Sequence, residues 1–199
     1  MALLERNPLD GAEFFFNKLM ETPLKLIGQV SKKNSEEDIQ NILKKYIPNK
    51  LQKDSFYVNW ISDMAQVCEV FSDTLDSDSV GFCLSTKRGC RRYHVDNVPM
   101  RLLVTYAGQG TEWLPDEAVD RSALLNNSTN EKIIKDVSKR KFINSWDVAI
   151  FNGGANGLLH RTPDLALNNP SVLMRLDHKS FWDNIIKVEG NNYIQSMSI

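Results

Sequence analysis

His94-Val95-Asp96 sets an imidazole and a carboxylate two residues apart. On extended backbone alternate side chains project to the same side, so both groups face one point. His160 stands far downstream in a second strand-like segment, GLLHRTP (157–163). Two neutral imidazoles and one carboxylate can occupy one face of an octahedron and leave three positions open. That ligand set suits non-haem Fe(II) working with oxygen and a bidentate co-substrate. The same three groups can hold zinc with one water. An H-x-D tripeptide alone is weakly specific, and its ordinary meaning is a hydrogen-bonded surface histidine beside a loop aspartate. The chain has only three histidines, so any pattern that uses two of them is informative.

Other side chains with chemistry to offer have plainer readings. Cys90 lies four residues before His94 and could approach the site, although a small buried apolar role is the default for cysteine. His178, after the last strand, reads as a partly exposed cap. Arg161 follows the distal histidine, so on a strand it points the other way, toward an ion pair or a role in orienting substrate. Glu112 and Trp113 face opposite sides; Trp113 reads as core and Glu112 as an acceptor behind the site. Tyr106 reads as packing. Lys87, Arg88, Arg91 and Arg92 cluster just before His94, either as a solvated loop or as a collar for an anionic substrate at the mouth of a barrel. Phe14, Phe15 and Phe16 cannot all face one way, so the triplet packs against the barrel or touches a partner.

The elements that must position these groups fall in two parts. Residues 1–78 read as a helical region. Ser35-Glu36-Glu37-Asp38 resembles a capping box ahead of IQNILKKYI, which Pro48 stops. From Asp54 to about Leu75, the apolar residues Phe56, Trp60, Met64, Val67, Phe71 and Leu75 recur at the period of one buried helical face. SDTLDSDS (72–79) breaks the pattern. Strand-like phrases follow: VGFCLST (80–86), MRLLVTYAG (100–108), SWDVAIFNGG (145–154), GLLHRTP and SVLMRLDH (171–178), with a long polar connector after GTEWLP. The expected fold is mainly β, a sandwich or jelly roll braced by a helical N-terminal layer. It forms one domain over 1–199, with its β core at 79–182 and a tail at 183–199.

Composition narrows the function classes. The 199 residues carry 24 Lys+Arg against 25 Asp+Glu, a net charge of −1, with no global field for nucleic acid or an anionic membrane. No apolar run approaches the roughly 20 residues that span a bilayer, and MALLERNPLDGAEFFF does not read as a signal peptide. Three cysteines without a CxxC pair argue against a disulfide scaffold or zinc ribbon, so a reducing cytoplasm is the expected setting.

The ordered run RRYHVDNVPMRLLVTYAGQGTEWLP, SWDVAIFNGG, GLLHRTP and VLMRLD resembles double-stranded β-helix dioxygenases of the prolyl-hydroxylase-like group. More closely, YHVDNVPMRLLVTYAGQGTEWLP…VDR together with GLLHRTP looks like the bacterial family called domain of unknown function family 1826. The resemblance covers about residues 79–178. It implies a double-stranded β-helix of jelly-roll, cupin-like form with His94, Asp96 and His160 as metal ligands. Asp147 matches the acid of a "G-D-V" turn, with Trp146 in place of the usual glycine. The dioxygenases bind 2-oxoglutarate through a cation about 10 residues past the distal histidine. Here that stretch, Asn168 to Ser171, has none, so Arg175 and Arg101 are the candidate anchors. The implied activity is Fe(II)/2-oxoglutarate-dependent oxygenation of a small molecule or protein side chain. The alternative is a zinc-binding or non-catalytic jelly roll linked to metal homeostasis or ligand binding. Substrate and oligomeric state stay open.

Overall fold

The computed structural model describes residues 1–181. The expected tail at 183–199 and residue 182 lie outside the described residues. In chain order the elements are β1 (Ala2–Leu4), α1 (Ala12–Leu19), β2 (Lys25–Ser31), α2 (Ser35–Leu43), α3 (Asn49–Gln52), α4 (Ser55–Thr74), β3 (Ser79–Ser85), β4 (Met100–Ala107), β5 (Glu112–Leu114), α5 (Arg121–Leu125), α6 (Asn130–Ile133), β6 (Lys141–Phe142), β7 (Val148–Asn152), β8 (Leu159–Arg161), α7 (Asp164–Asn168) and β9 (Val172–His178). The strands form a six-stranded sheet in the order β1-β7-β4-β9-β3-β2 and a three-stranded sheet in the order β6-β5-β8. Every named pairing is antiparallel. The sheets face one another without closing into a barrel.

Strand alternation sorts the large sheet's side chains into two layers. One face carries Val80, Phe82, Leu84, Leu102, Val104, Tyr106, Met174 and Leu176, all buried against the helices. α4 presents Phe56, Trp60, Met64, Val67 and Phe71 to that face, the stripe its periodicity predicts. Asp54 caps it by accepting the Phe56 N–H at 2.9 Å. Each such fully buried side chain contributes roughly 1.5–3 kcal/mol, so this helix–sheet layer is the main cohesive element. The other face of the large sheet contributes Leu103, Ala149 and Phe151 to a smaller core, against which Trp113 of β5 packs. The functional groups lie in this inter-sheet layer. A third cluster, including Tyr93, Leu114, Val119, Ile133 and Leu159, seats the 115–134 connector on the outer face of the small sheet.

The structure corrects two sequence expectations here. Residues 1–78 are not wholly helical: β1 and β2 form the two edges of the large sheet, and β2 pairs with β3 in register from Lys25↔Ser85 to Ser31↔Ser79. A seven-residue strand between two helices has no local signature, because its partner lies about fifty residues away. The capping box does not form. The Ser35 hydroxyl donates to Glu69 at 2.5 Å, and Asp38 instead accepts the Ser31 N–H at 2.8 Å. The phenylalanine triplet divides, with Phe15 and Phe16 in the core and Phe14 exposed. Among the described residues no helix is long and apolar enough to cross a membrane.

Candidate metal centre

Two backbone devices bring the three predicted ligands together. His94 and His160 exchange N–H···O bonds of 3.0 Å in each direction, an isolated bridge that extends the small sheet beyond β8. The Gly-Gly turn after β7 holds the other end of the H-x-D segment: the Gly154 N–H donates to the Asp96 carbonyl at 2.7 Å and Gly153 N–H to that of Pro99 at 3.3 Å. A Cβ at Gly153 would collide with the backbone carbonyl oxygens of Val98 and Asp96, so this close approach requires glycine.

One donor atom from each of His94, Asp96 and His160 lies within 4.8 Å of the other two. His94 Nε2 is 3.7 Å from one Asp96 oxygen and His160 Nε2 is 3.4 Å from the other. Ligands at about 2.1 Å from one ion would stand roughly 3.0–3.4 Å apart in octahedral or tetrahedral geometry; the His160–Asp96 contact matches that spacing and the His94–Asp96 contact is wider. Each imidazole turns Nδ1 toward a backbone carbonyl, His94 to Arg92 at 2.9 Å and His160 to Leu158 at 3.0 Å. A carbonyl only accepts, so Nδ1 carries the proton and the Nε2 lone pair points into the cluster. Burial lowers the His160 pKa to about 4, which keeps that ring neutral at pH 7 and competent as a ligand. At His94 burial acts in the same sense, but hydrogen bonds to Cys90 and the Arg92 carbonyl outweigh it and the net shift is upward.

Asp96 is held asymmetrically. Oδ1 is ion-paired with Arg101, whereas buried Oδ2 has no hydrogen-bond partner. An orphaned carboxylate oxygen 3.4 Å from the His160 Nε2 lone pair is costly in isolation, and a divalent cation would satisfy the three donors at once. The donor set therefore fits a metal. Arg101 also donates from Nε to Asp177 at 2.7 Å, and Asp177 in turn lies 3.2 Å from Arg175. Burial raises the Asp177 pKa, opposed by Arg101. The chain Asp96–Arg101–Asp177–Arg175 thus runs from the metal ligand across β4 and β9, where Arg101 and Asp177 are direct cross-strand neighbours.

A cavity of about 440 Å³ opens on the cluster. Both candidate anchors line it: Arg101 at its wall, committed to the two aspartates, and Arg175, with Phe181 packed 5.8 Å from its guanidinium. Of the basic run, Lys87 and Arg88 line the cavity; Arg91 does not, and Arg92 donates to the carbonyls of Asn127 and Leu124 in the connector. Cys90 is exposed rather than buried and lines the cavity; its hydrogen bond with His94 lowers its thiol pKa. Arg161 points away from the cluster to pair with Glu112 at 2.8 Å, and Glu112 also accepts from the Tyr93 hydroxyl. His178 bonds Ser180 and stays outside the cluster. Tyr106 is core and donates to Asp63 at 2.7 Å. Trp146 adopts φ +74°, the left-handed conformation that favours glycine, while Asp147 accepts the Asn144 N–H at 2.9 Å. The turn therefore keeps its shape with a bulky residue whose ring is 4.9 Å from Tyr106.

Sequence reasoning missed Asp177 and Gly153. Asp177 carried a signal, since it alternates with Arg175 on one strand face; Gly153 carried only a turn signal, because its tight contact is with a segment over fifty residues earlier.

Fold and site together define a β-rich, two-sheet protein braced by helices, with a two-histidine, one-carboxylate cluster between its sheets. The chain belongs to the family described as Protein of unknown function (DUF1826), whose model matches residues 1–177. No curated protein matches the chain.

Proposed function

We propose that this protein is a jelly-roll metalloprotein in which His94, Asp96 and His160 hold divalent iron, and that it acts as a 2-oxoglutarate-dependent oxygenase. The observation that carries the metal reading is Asp96: one oxygen pinned by Arg101, the other buried and unbonded 3.4 Å from the His160 Nε2 lone pair. The jelly-roll reading is supported by strand order. Numbering β3, the His94 segment, β4, β5, β6, β7, β8 and β9 from 1 to 8, the large sheet contains 6-3-8-1 and the small one 5-4-7-2, the interleaving of two Greek keys.

When bound, iron would supply oxygen activation coupled to oxidation of the oxo-acid. The chain's own side chains do the rest. His94 and His160 present fixed Nε2 donors, and Arg101 holds Asp96 so that a single oxygen faces the ion. Arg175, on the same strand face as Leu173 in the cavity, is assigned the far carboxylate of 2-oxoglutarate, with Arg101 as a positioning residue. Leu103 and Leu173 give that part of the wall an apolar surface.

Anaerobic Fe(II) with 2-oxoglutarate is expected to produce a metal-to-ligand charge-transfer absorption that His94→Ala or His160→Ala abolishes. Bound iron without that band would reject the co-substrate. The Cys90 thiol beside His94 favours a second reading, because a soft sulfur donor at the edge of the cluster suits zinc. About one zinc per chain after metal-free purification, with no response to the oxo-acid, would select a zinc-binding role instead.

A further inference from the structure

Six basic residues border the cavity, Lys25, Lys87, Arg88, Arg101, Arg161 and Arg175, the Arg161 guanidinium being turned outward to Glu112, against the single carboxylate of Asp96. The arginines differ in how their charge is met. Arg101 has Asp96 and Asp177, Arg161 has Glu112 and Asp164, and Arg175 has Asp177. Arg88 is the exception. Its guanidinium donates to the Gln109 carbonyl at 2.9 Å and to the Thr111 hydroxyl at 2.6 Å, both neutral acceptors. Among the described residues no carboxylate pairs with it, and its Nε is buried without a hydrogen-bond partner. Burial lowers its pKa to about 10, so it stays charged at pH 7. A half-buried cation with no carboxylate opposite it is costly; the group that acts on it electrostatically is the neighbouring Cys90 thiol. Two fixed hydrogen bonds hold this one in place while leaving a donor unused.

We infer that Arg88 is the recognition site for an acid group, carboxylate or phosphate, of a small-molecule substrate that enters this cavity. The site lies on the loop Lys87–Cys90, whose four residues all line the cavity and whose Cys90 hydrogen-bonds the ligand His94. An acid at Arg88 would meet its guanidinium charge and the second hydrogens of the two Nη atoms, each of which spends one on Gln109 or Thr111. The rest of the molecule would extend toward the exposed side of the cluster. A volume of about 440 Å³ suits a small metabolite rather than a polymer. The inference rests on the proposed metal centre only for where the rest of the substrate lies; the anion contact itself requires no metal.

The test uses the full chain after chelator treatment, titrated calorimetrically at low ionic strength with inorganic phosphate and, separately, with succinate. Saturable binding of one of them is expected, weakened at least tenfold by Arg88→Gln and less by Arg88→Lys, which keeps the charge but not the fork. Which probe binds distinguishes a phosphate from a carboxylate substrate. Iron and zinc titrations of the same metal-free chain keep the two readings apart: anion binding by a wild-type chain that takes up neither metal would reject the metal reading and uphold this one. Equal binding by wild type and Arg88→Gln, or no binding of either probe below about 10 mM, overturns the proposal. Should Arg88→Gln fail to fold, phenylglyoxal labelling of the wild type mapped by mass spectrometry answers the same question. The anion should slow modification of Arg88 and leave exposed Arg91 unchanged; equal rates with and without anion overturn it.

Discussion

Asp177→Asn tests whether the metal centre is tuned from a residue that never touches the metal. Asp177 is fully buried and shares its carboxylate between Arg101 at 2.7 Å and Arg175 at 3.2 Å. The substitution keeps volume and removes the charge. Removing one partner of a buried pair costs about 3–5 kcal/mol. The low end applies here, because Arg101 keeps Asp96 and Arg175 is partly exposed. Arg101→Met strands buried Asp96 and leaves Asp177 only its longer contact with Arg175, so it should cost near the upper end. Loss of an outer partner of a metal ligand typically weakens metal binding by about 10–100-fold, or about 1.4–2.7 kcal/mol. If Asp177 acts by holding Arg101, and Arg101 by aiming Asp96, the two effects on metal affinity must not add. Arg101→Met/Asp177→Asn should then bind metal as weakly as Arg101→Met alone, with a coupling energy equal to the Asp177→Asn effect. Competition with a chromophoric chelator, without oxo-acid, gives the affinities; urea unfolding of the metal-free variants gives the stabilities. Additive losses, or an Asp177→Asn affinity within twofold of wild type, would refute the relay.

Gly153→Ala should lower stability by about 1–3 kcal/mol and weaken metal binding more than tenfold, since the added methyl must displace the carbonyls of Val98 and Asp96; unchanged affinity by the same competition assay would sink that account. At Trp146, glycine would relieve roughly 1–2 kcal/mol of left-handed strain but delete a ring packed on Phe16, Phe56 and Tyr106, worth about 3–5 kcal/mol. Trp146→Gly is therefore expected to destabilise, and a stabilised variant in urea unfolding would show that strain dominates. Burial, followed by Asp63, holds the Tyr106 pKa well above 10. Above pH 10 the unfolded chain releases that proton and the folded one keeps it, so stability falls by about 1.4 kcal/mol per pH unit. Tyr106→Phe should flatten this alkaline slope in denaturation at pH 9–11, while losing about 1 kcal/mol at neutral pH from the bond to Asp63; an unchanged slope would assign it elsewhere.

Much of the site was legible from local patterns. The H-x-D alternation needs only extended backbone for its two side chains to converge, and its strands and α4 announce themselves through periods set by backbone geometry. The outward turn of Arg161 follows from the same alternation, since it adjoins His160 on β8. Less legible was Cys90, which small size and apolarity place in a core but which the Lys87–Cys90 loop carries to the cavity. Arg101 was legible as a cation near the site but not as one already committed to two carboxylates.

What the sequence by itself determined is that His94 and Asp96 project to one side and which kinds of element carry the donors, because stereochemistry over two to four residues decides both; His160 joins them only through the long-range bridge to His94. Only the tertiary structure decided that β2 would leave the helical layer to edge the large sheet, that Asp177 would meet Arg101 across 76 residues of chain, and that Gly153 would press on the carbonyl of Asp96. It also decided which arginine would line the cavity without a carboxylate. Those outcomes depend on which non-local neighbours share the space between two sheets, and on burial making an unpaired charge expensive, neither of which is written in any local stretch of residues.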